Sequence, residues 1–427
     1  MALTDNLFSN VKSSKGPAAH SLAFLLIFFT WALACLLGAL PYYFSGCIPR
    51  FTDAVFESVS GFTTTGLTVL RDIDTAPLPV IFWRALSQWL GGLGILLFIA
   101  VLPPLLGSGG FQIYRTEISG PEKGKVTHRI NRSARLILLI YAGLTAAETF
   151  LLRCFGMNWF DAVTHAFSTM ATGGFSSHNG GIAFYRSPAI EWVVAVFMFL
   201  AGFNYLLIWR MLRGRFRDCL RNSEARAYTA IVVLVSMVIT IVISSVGDSP
   251  KDGGRNALFN TISILSTTGF SCADTGAWPA LAQGLLFFLM FLGGCSLSTA
   301  GGIKIIRYVI LAKQTGNEMK KMLHLRGVFN IRLDGKSGKK DVVYGAVSFV
   351  FLYFLLIFLC ALLVSSAGED IFSSLKTALA CLGNIGFINP LPRFPAYVKW
   401  GLALTMLIGR LELWAVLVFF TRDFWKL

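Results

Sequence analysis

Four short stretches rich in threonine and glycine carry the residues best suited to chemistry in this chain of 427 residues. The first reads Ser60-Gly-Phe-Thr-Thr-Thr-Gly66, and degraded copies follow at 168–175, 266–270 and 383–387. Glycine tolerates the dihedrals that aim consecutive carbonyls to one side, and threonine hydroxyls add further oxygens. Such oxygens can replace the water that a cation loses in a narrow pore. The loops therefore predict a ring of backbone carbonyls around a cation path; glycines that merely permit tight turns are the plainer alternative.

The composition places these loops in a polytopic membrane protein. The chain is 55% hydrophobic and 14% charged, with a mean hydropathy of +0.66, whereas soluble domains average about 25% charged residues. The run 21–40 contains no charge and is long enough to cross a hydrocarbon core of about 30 Å. The lipid bilayer is therefore the first predicted partner.

The net charge of +15 follows membrane topology rather than nucleic-acid binding. Of the 37 Lys and Arg residues, 26 lie before position 21, in 107–135, 210–226 and 304–340, and after position 420. An excess of basic residues in alternate loops marks the cytoplasmic side. Both termini and three basic loops are predicted to be cytoplasmic, and the four Thr/Gly stretches to lie outside.

Internal repetition organises the chain. Each repeat is predicted to contain a long apolar segment, a short amphipathic helix with a Thr/Gly turn, and a second long apolar segment. The predicted divisions are a cytoplasmic N-terminus (1–17), repeat 1 (18–106), a basic loop (107–132), repeat 2 (133–213), a basic loop (214–225), repeat 3 (226–313), a basic loop (314–340), repeat 4 (341–422) and a cytoplasmic C-terminus (423–427). Because each repeat crosses the membrane an even number of times, the repeats are parallel and all four turns emerge on one face.

The short helices are predicted at 52–62, 159–170, 256–266 and 370–382. Asp53 and Asp161 lie near the N-termini of the first two, where a negative charge is favourable, but Ala257 and Ile371 occupy the equivalent positions of the others. Since a Gly/Thr turn follows each helix, we expect re-entrant helices; helices lying flat in the membrane interface are the alternative.

Two features inside the apolar segments indicate a gate. Residues 293–302 contain four glycines, and each costs a helix about 1 kcal/mol relative to alanine, so the helix should break there; close packing of helices through small residues is the alternative. Arg410 lies within the last apolar segment, and an intramembrane arginine usually faces a cavity. A structural salt bridge with Glu148 is the competing reading, since Glu412 points elsewhere on the helix.

Enzymatic chemistry finds no support in the residue pattern. The eight cysteines have no CxxC spacing, the five histidines form no HExxH, and no phosphate-binding loop with its Ser or Thr is present. No catalytic site, metal cluster or bound cofactor is therefore predicted.

The chain resembles the TrkH/KtrB/HKT superfamily of potassium transport proteins over nearly its whole length, and within it the TrkH-like bacterial subunits. The specific marks are Ser60-Gly-Phe-Thr-Thr-Thr-Gly66, Ala171-Thr-Gly-Gly-Phe-Ser176, Ser266-Thr-Thr-Gly-Phe-Ser271, Gly293-Gly-Cys-Ser-Leu-Ser-Thr-Ala-Gly-Gly-Ile-Lys304 and Ile408-Gly-Arg-Leu-Glu412. The resemblance implies an all-α fold of eight transmembrane helices and four re-entrant pore helices, with pseudo-fourfold symmetry around a central pore.

The same resemblance implies residue roles. The potassium filter would consist of Thr64, Thr65, Gly66, Ala171, Thr172, Gly173, Thr267, Thr268, Gly269, Asn384, Ile385 and Gly386. The gate would consist of Gly293, Gly294, Ser298, Thr299, Gly301, Gly302, Lys304 and Arg410. In relatives, serine in place of the first glycine goes with sodium permeation, so Gly66 favours potassium. The fourth turn departs most from the family pattern, because Asn384-Ile385 stands where other turns have Thr-Thr or Ala-Thr.

The resemblance also implies a homodimer in the bacterial inner membrane, bound to a cytosolic regulator of the RCK/TrkA type. The chain has no dinucleotide fingerprint, so a nucleotide such as ATP, ADP or NAD is expected only on that partner. The alternatives are a secondary transporter for another solute, against which the parallel repeats argue, and an intramembrane enzyme, for which no residue cluster is found.

Overall fold

The computed structural model describes residues 17–106, 126–245, 250–324, 330–334, 336–337, 340–387 and 394–420, together with Arg422 and Trp425. Over these residues the chain is helical apart from loops and one hairpin of two-residue strands, β1 (Arg332–Leu333) and β2 (Lys336–Ser337). The predicted all-α fold of four repeats is confirmed. The predicted N-terminal segment and most of the basic loop 107–132 lie outside the described residues.

Each repeat begins with a long helix, continues with a short helix and returns through a second long segment. Repeat 1 contains α1 (Pro17–Gly38), the one-turn α2 (Leu40–Phe44), the short α3 (Phe51–Phe62) and α4 (Leu78–Leu106). Repeat 2 contains α5 (Val126–Cys154), the short α6 (Trp159–Met170), α7 (Pro188–Ala201) and α8 (Tyr205–Leu212). A connecting helix α9 (Phe216–Arg221) leads into repeat 3.

Repeat 3 contains α10 (Ser223–Ser244), the short α11 (Pro250–Leu265), α12 (Ala280–Leu289) and α13 (Ile305–Leu323). Repeat 4 contains α14 (Lys340–Ser365), the short α15 (Ile371–Gly383), α16 (Ala396–Arg410) and α17 (Leu413–Leu417). In the described part of the chain, five helices are long and apolar enough to cross a membrane, or six if α7 and α8 form one span. Short breaks also separate α12 from α13 and α16 from α17, and these pairs are not among the six.

The second segment is broken in three repeats, which the sequence predicted only for the third. Helices α7 and α8 meet at 109°, and residues 290–304 separate α12 from α13. Helices α16 and α17 are separated at Leu411 and Glu412, where Glu412 has φ +62°. The sequence did not indicate the breaks near 202–204 and 411–412, whereas the break expected within 293–302 is present and extends over 290–304.

The short helices are enclosed by the long ones. In α3 every residue from Ala54 to Phe62 is buried, so both faces of the helix are covered. A helix lying flat on a membrane surface would leave one face open, so the burial fits re-entrant helices and excludes the interfacial alternative for α3.

All four short helices carry an acidic residue at their N-terminus, which corrects the partial pattern expected from sequence. Besides Asp53 and Asp161, Asp252 lies in the first turn of α11, which begins earlier than predicted. Asp370 caps α15, and its side chain accepts hydrogen bonds from the backbone N–H groups of Phe372 (3.0 Å) and Ser373 (3.1 Å). Each carboxylate opposes the positive end of its helix dipole.

Candidate functional site

The loops that follow the short helices share one backbone conformation. These Thr/Gly loops comprise residues 63–66, 171–174, 266–269 and 383–386. Their second residues all have left-handed φ angles: Thr64 (53°), Thr172 (55°), Thr267 (60°) and Asn384 (53°). Glycines two positions later are also left-handed: Gly66 (82°), Gly174 (78°) and Gly269 (86°). A positive φ is rare for β-branched threonine and persists only where the surroundings enforce it.

The backbone register corrects the predicted alignment of the second loop. The third residue of each loop donates its backbone N–H to the short helix at 2.8 Å: Thr65 to Ser60, Gly173 to Ser168, Thr268 to Ser263 and Ile385 to Ala380. Gly173 is thus equivalent to Thr65, and Gly174 to Gly66. The prediction that aligned Ala171, Thr172 and Gly173 with Thr64, Thr65 and Gly66 is wrong by one residue, because the Gly-Gly pair left the choice of glycine ambiguous.

The four loops close into a ring. A methyl group on the glycine of each loop would contact the backbone of the next loop. A methyl group on Gly66 would contact the carbonyl oxygen of Gly173, and one on Gly174 would contact the carbonyl oxygen of Thr268. A methyl group on Gly269 would lie 2.7 Å from the nitrogen of Gly386, and one on Gly386 would lie 2.8 Å from the carbonyl oxygen of Thr65. Loop 1 thus contacts loop 2, loop 2 contacts loop 3, loop 3 contacts loop 4, and loop 4 contacts loop 1. Only glycine allows so close an approach of backbone to backbone.

Gln88 on α4 holds the second loop, and the sequence did not indicate this. Its fully buried carboxamide donates from Nε2 to the Gly173 carbonyl (2.7 Å) and accepts at Oε1 from the Phe175 N–H (3.2 Å) and from the Ser168 hydroxyl. A Cβ on Gly173 would lie 2.5 Å from Oε1 and 2.6 Å from Nε2 of this side chain. The glycine that is extra in the second loop is therefore required by the glutamine that packs against it.

Asn384 performs a similar task in the fourth loop. Its Nδ2 donates to the Thr65 hydroxyl (2.9 Å) and to the Met406 carbonyl (3.0 Å). Asparagine is also among the residues that tolerate a left-handed backbone best. The atypical Asn384 thus ties loop 4 to loop 1 by its side chain.

A repeated polar brace fixes the far end of three loops. The residue nine positions before the left-handed glycine bonds the hydroxyl residue two positions after it: Glu57 with Thr68 (2.8 Å), His165 with Ser176 (3.0 Å) and Asn260 with Ser271 (3.2 Å). Glu57 is further paired with buried Arg84 at 2.8 Å. In the sequence, the Ser or Thr two positions after each of these three glycines is the feature that could have indicated the braces.

The 290–304 loop lies against the C-terminal ends of the short helices. The Thr299 hydroxyl donates to the carbonyls of Met170 (3.0 Å) and Ala201 (3.2 Å). The Gly301 N–H donates to the Thr267 hydroxyl at 2.8 Å, and a Cβ on Gly301 would contact the Gly383 carbonyl. The loop therefore touches the ends of short helices in repeats 2, 3 and 4.

The remaining predicted gate residues shape this loop. The Gly293 N–H donates to the Ile303 carbonyl (2.9 Å), the Gly294 carbonyl accepts from the Ile305 N–H (3.2 Å), and Gly302 has φ +66°. The Ser298 hydroxyl donates to the Cys295 carbonyl (2.5 Å), and Lys304 Nζ donates to the Ala300 carbonyl. These bonds close the loop upon itself at its base.

The break between α7 and α8 accommodates the same loop. The Cys295 N–H donates to the Gly202 carbonyl (2.8 Å), and the Tyr205 N–H donates to the Leu297 carbonyl (3.2 Å). The Asn204 side chain caps α8 by accepting from the Leu206 N–H at 2.9 Å. Backbone groups freed by one broken helix are thus satisfied by the other, as membrane-embedded irregular backbone requires.

Arg410 bonds carbonyls rather than a carboxylate. Its Nη1 donates to the Thr299 carbonyl at 2.7 Å, and its Nη2 to the Gly91 carbonyl of α4 at 3.3 Å. Among the described residues Arg410 forms no salt bridge, so the predicted alternative of an ion pair with Glu148 is wrong. Glu412 instead pairs with Arg307 at 2.8 Å. The only positive group that reaches both the 290–304 loop and repeat 1 in the described hydrogen bonds is Arg410.

Glu224 ties the middle of the loop to the start of α13, a role that the sequence did not indicate. Its buried Oε1 accepts from the Ser296 N–H (2.7 Å) and hydroxyl (3.0 Å) and from the Ile306 N–H (3.3 Å). A carboxylate that accepts several backbone N–H groups forms strong, charge-assisted bonds. Glu224 therefore holds the loop at Ser296, whereas Arg410 bonds it at Thr299.

Comparison with known proteins identifies the class first and then the family. A protein of four helical repeats with broken spans and a buried ring of loops is a polytopic membrane protein. The TrkH family profile, described as "Cation transport protein", matches residues 1–426, and the chain belongs to this family. Membership confirms the prediction of a transport protein rather than an enzyme.

Several relatives match over most of their length. The Trk system potassium uptake protein TrkH of Halomonas elongata is 38% identical, covering 94% of this chain and 86% of the relative. TrkH of Salmonella typhimurium is 35% identical, covering 97% and 88%. The crystal structure of the potassium transporter TrkH from Vibrio parahaemolyticus superposes with a TM-score of 0.86 at 33% identity, covering 95% of this chain and 86% of that one.

Proposed function

We propose that this protein takes up potassium across the cell membrane through the ring of Thr/Gly loops. The observation that carries the proposal is that the four loops form a closed ring. The glycine of each loop lies against the backbone of the next loop. Relatives of 35% to 38% identity are named potassium uptake proteins. A ring of uncharged backbone oxygens suits a monovalent cation that sheds its water.

The backbone register of the loops supports one set of ion-binding residues. In each loop the second and third residues offer carbonyls and the fourth is the close-contact glycine: Thr64, Thr65, Gly66; Thr172, Gly173, Gly174; Thr267, Thr268, Gly269; and Asn384, Ile385, Gly386. Ala171 then takes the position of Thr63, outside this set. Alternation of left-handed and ordinary residues turns successive carbonyls to the same side, toward the ion.

The 290–304 loop is proposed to close the path at the inner ends of the short helices. Glycine at Gly301 permits the approach to loop 4, and Thr299 and Arg410 lock the loop to repeats 1 and 2. A fixed guanidinium on the path also repels a dehydrated cation. Opening requires the Thr299–Arg410 bond to break and the loop to swing away.

Assembly and location follow from charge and family. The basic loops favour cytoplasmic termini in a bacterial inner membrane. We expect a homodimer whose cytoplasmic face binds an RCK/TrkA-type regulator, with any gating nucleotide held by that partner. Potassium is cargo, and no covalent cofactor takes part.

Substitution of Gly66 by serine tests the filter. Because Gly66 has φ +82° and its Cβ position touches the Gly173 carbonyl, Gly66→Ser should distort the ring and weaken discrimination between potassium and sodium. Gly46 is a matched control, since it has φ +71° with no atom within 4 Å of its Cβ position. Competition of both ions against rubidium uptake in proteoliposomes should change for Gly66→Ser and stay unchanged for Gly46→Ser. Equal discrimination by the two variants would contradict the filter assignment, and inhibition of rubidium uptake by an organic solute would favour another transported solute.

A further inference from the structure

A basic pocket lies at the N-terminal end of α10, the end that the charge distribution assigns to the cytoplasm. The pocket measures about 600 Å³, and its cationic lining comes from five elements, α8, α9, α10, α13 and β1: Arg210, Arg221, Arg226, Lys313 and Arg332. Two carboxylates, Asp218 and Asp334, also line it. The volume is sufficient for a glycerophosphate group.

The carboxylates leave most of this positive charge unbalanced. Asp334 is occupied by α10, since it accepts from the Ser223 N–H (2.8 Å), the Ser223 hydroxyl (2.7 Å) and the Asn222 side chain (3.0 Å). Asp218 lies 4.0 Å from Arg210. Within the described part of the chain, Arg221 and Arg226 have no acidic partner, and both are exposed.

Lys313 is held in place by neutral groups. Its Nζ donates to the Arg332 carbonyl (2.9 Å) and to the Ser223 hydroxyl (3.3 Å). The Ser223 hydroxyl itself donates to Asp334, so Lys313 reaches that carboxylate only through the hydroxyl. The pocket thus combines two exposed arginines with a lysine that is held in place.

An apolar groove continues from the pocket along α10. It is lined by Cys219, Leu220, Ala225, Thr229, Ala230, Val233 and Leu234, and Arg226 belongs to both cavities. Leu220, Val233 and Leu234 are 71%, 55% and 57% exposed. Because α10 is a membrane-spanning candidate, this exposed apolar surface lies where acyl chains surround the protein.

We propose that the pocket and groove together bind one anionic phospholipid. The phosphate lies among Arg221, Arg226 and Lys313, and an acyl chain follows the groove past Ala230 toward Leu234. Arginine binds phosphate oxygens in a bidentate manner, and basic pockets between transmembrane helices on the cytoplasmic side suit anionic head groups. A free phosphate would satisfy the same cations but would leave the groove without a role.

Lipid retention by the purified full-length protein tests the site without reference to transport. Native mass spectrometry after reconstitution with phosphatidylglycerol and phosphatidylcholine should show one retained phosphatidylglycerol per chain. Arg221→Gln with Arg226→Gln should lower its retention about thirtyfold, since each surface cation contributes a similar increment to the binding of an anionic lipid. Arg215→Gln with Arg217→Gln is the control, because it removes the same charge from neighbouring exposed residues that do not line the pocket.

A second variant separates the lipid from a soluble anion. Ala230→Trp fills the exposed groove and leaves every cation in place, so it should reduce phosphatidylglycerol retention without unfolding the protein. Retention that survives both changes, or that falls equally in the control, overturns the proposal. Displacement of the lipid by millimolar inorganic phosphate, with no effect of Ala230→Trp, would assign the pocket to free phosphate and overturn the lipid assignment.

Discussion

The Gln88 side chain fills the space that a side chain at Gly173 would need. Substitutions at these two positions, alone and together, can test this. Gly173→Ala places a methyl group 2.5–2.6 Å from the carboxamide oxygen and nitrogen of Gln88. The backbone of Gly173 is outside the left-handed region, so alanine itself is compatible with the local dihedrals. Gln88→Ala vacates the space but leaves the Phe175 N–H and the Ser168 hydroxyl without their acceptor. The double variant should therefore lose less stability than the sum of the losses in the two single variants.

The expected magnitudes follow from these contacts. Overpacking by Gly173→Ala should cost about 1–3 kcal/mol. Each of the two buried donors orphaned by Gln88→Ala costs about 1–3 kcal/mol, giving about 2–6 kcal/mol in total. If the methyl group enters the vacated space, the overpacking cost disappears, and the coupling energy is about 1–3 kcal/mol in favour of the double variant.

Thermal unfolding in detergent measures the coupling, and ion competition measures its functional effect. The double variant should unfold near the temperature of Gln88→Ala, and both should discriminate less between potassium and sodium, because the Gly173 carbonyl has lost its donor. Gln283→Ala is the control, since Gln283 also donates to two carbonyls but lies on the surface. Strictly additive losses, or unchanged selectivity in Gln88→Ala, would refute the packing argument.

Three further predictions concern the anchors of the pathway. Arg410→Ala removes the charged bond to Thr299, worth about 1.5–3 kcal/mol, and should raise rubidium flux into proteoliposomes at least tenfold; a well-folded variant with lower flux would contradict a locking role. Glu224→Ala frees the middle of the 290–304 loop from the start of α13 and should also raise flux, whereas Glu224→Gln keeps an acceptor and should lie between it and the parent; identical flux in all three would exclude Glu224 as an anchor. Arg84→Met leaves Glu57 buried without its cation and should destabilise the fold by about 3–5 kcal/mol, which thermal unfolding would measure; a stability equal to that of the parent would mean that Glu57 finds another partner.

The sequence predicted the repeats and short helices well because both depend on local patterns. The short helix Trp159–Met170 has the predicted bounds, since its apolar face lies within it, the Asn158 cap precedes it and a glycine turn follows it. The left-handed loops also follow locally, because glycine spacing marks them.

The remaining features depend on contacts between distant segments. The break at 202–204 lies in an apolar run, and the groups that compensate for it come from Cys295 and Leu297. The second loop was misaligned because the residue that decides between Gly173 and Gly174 is Gln88, about 85 positions away. Glu224 lies in the basic stretch 210–226, and only its bonds to Ser296 and Ile306 reveal its role.

Because all four loops of the ring belong to one polypeptide, a substitution can change one loop and leave the other three unchanged. In a channel of four identical subunits, any substitution occurs four times around the ring. A change that one loop could tolerate is then made in all four loops. Here a carboxamide from α4 supports one corner and an asparagine another, with no counterpart needed elsewhere. In the proposed filter, ion preference can therefore change in small steps, through one of the four loops at a time.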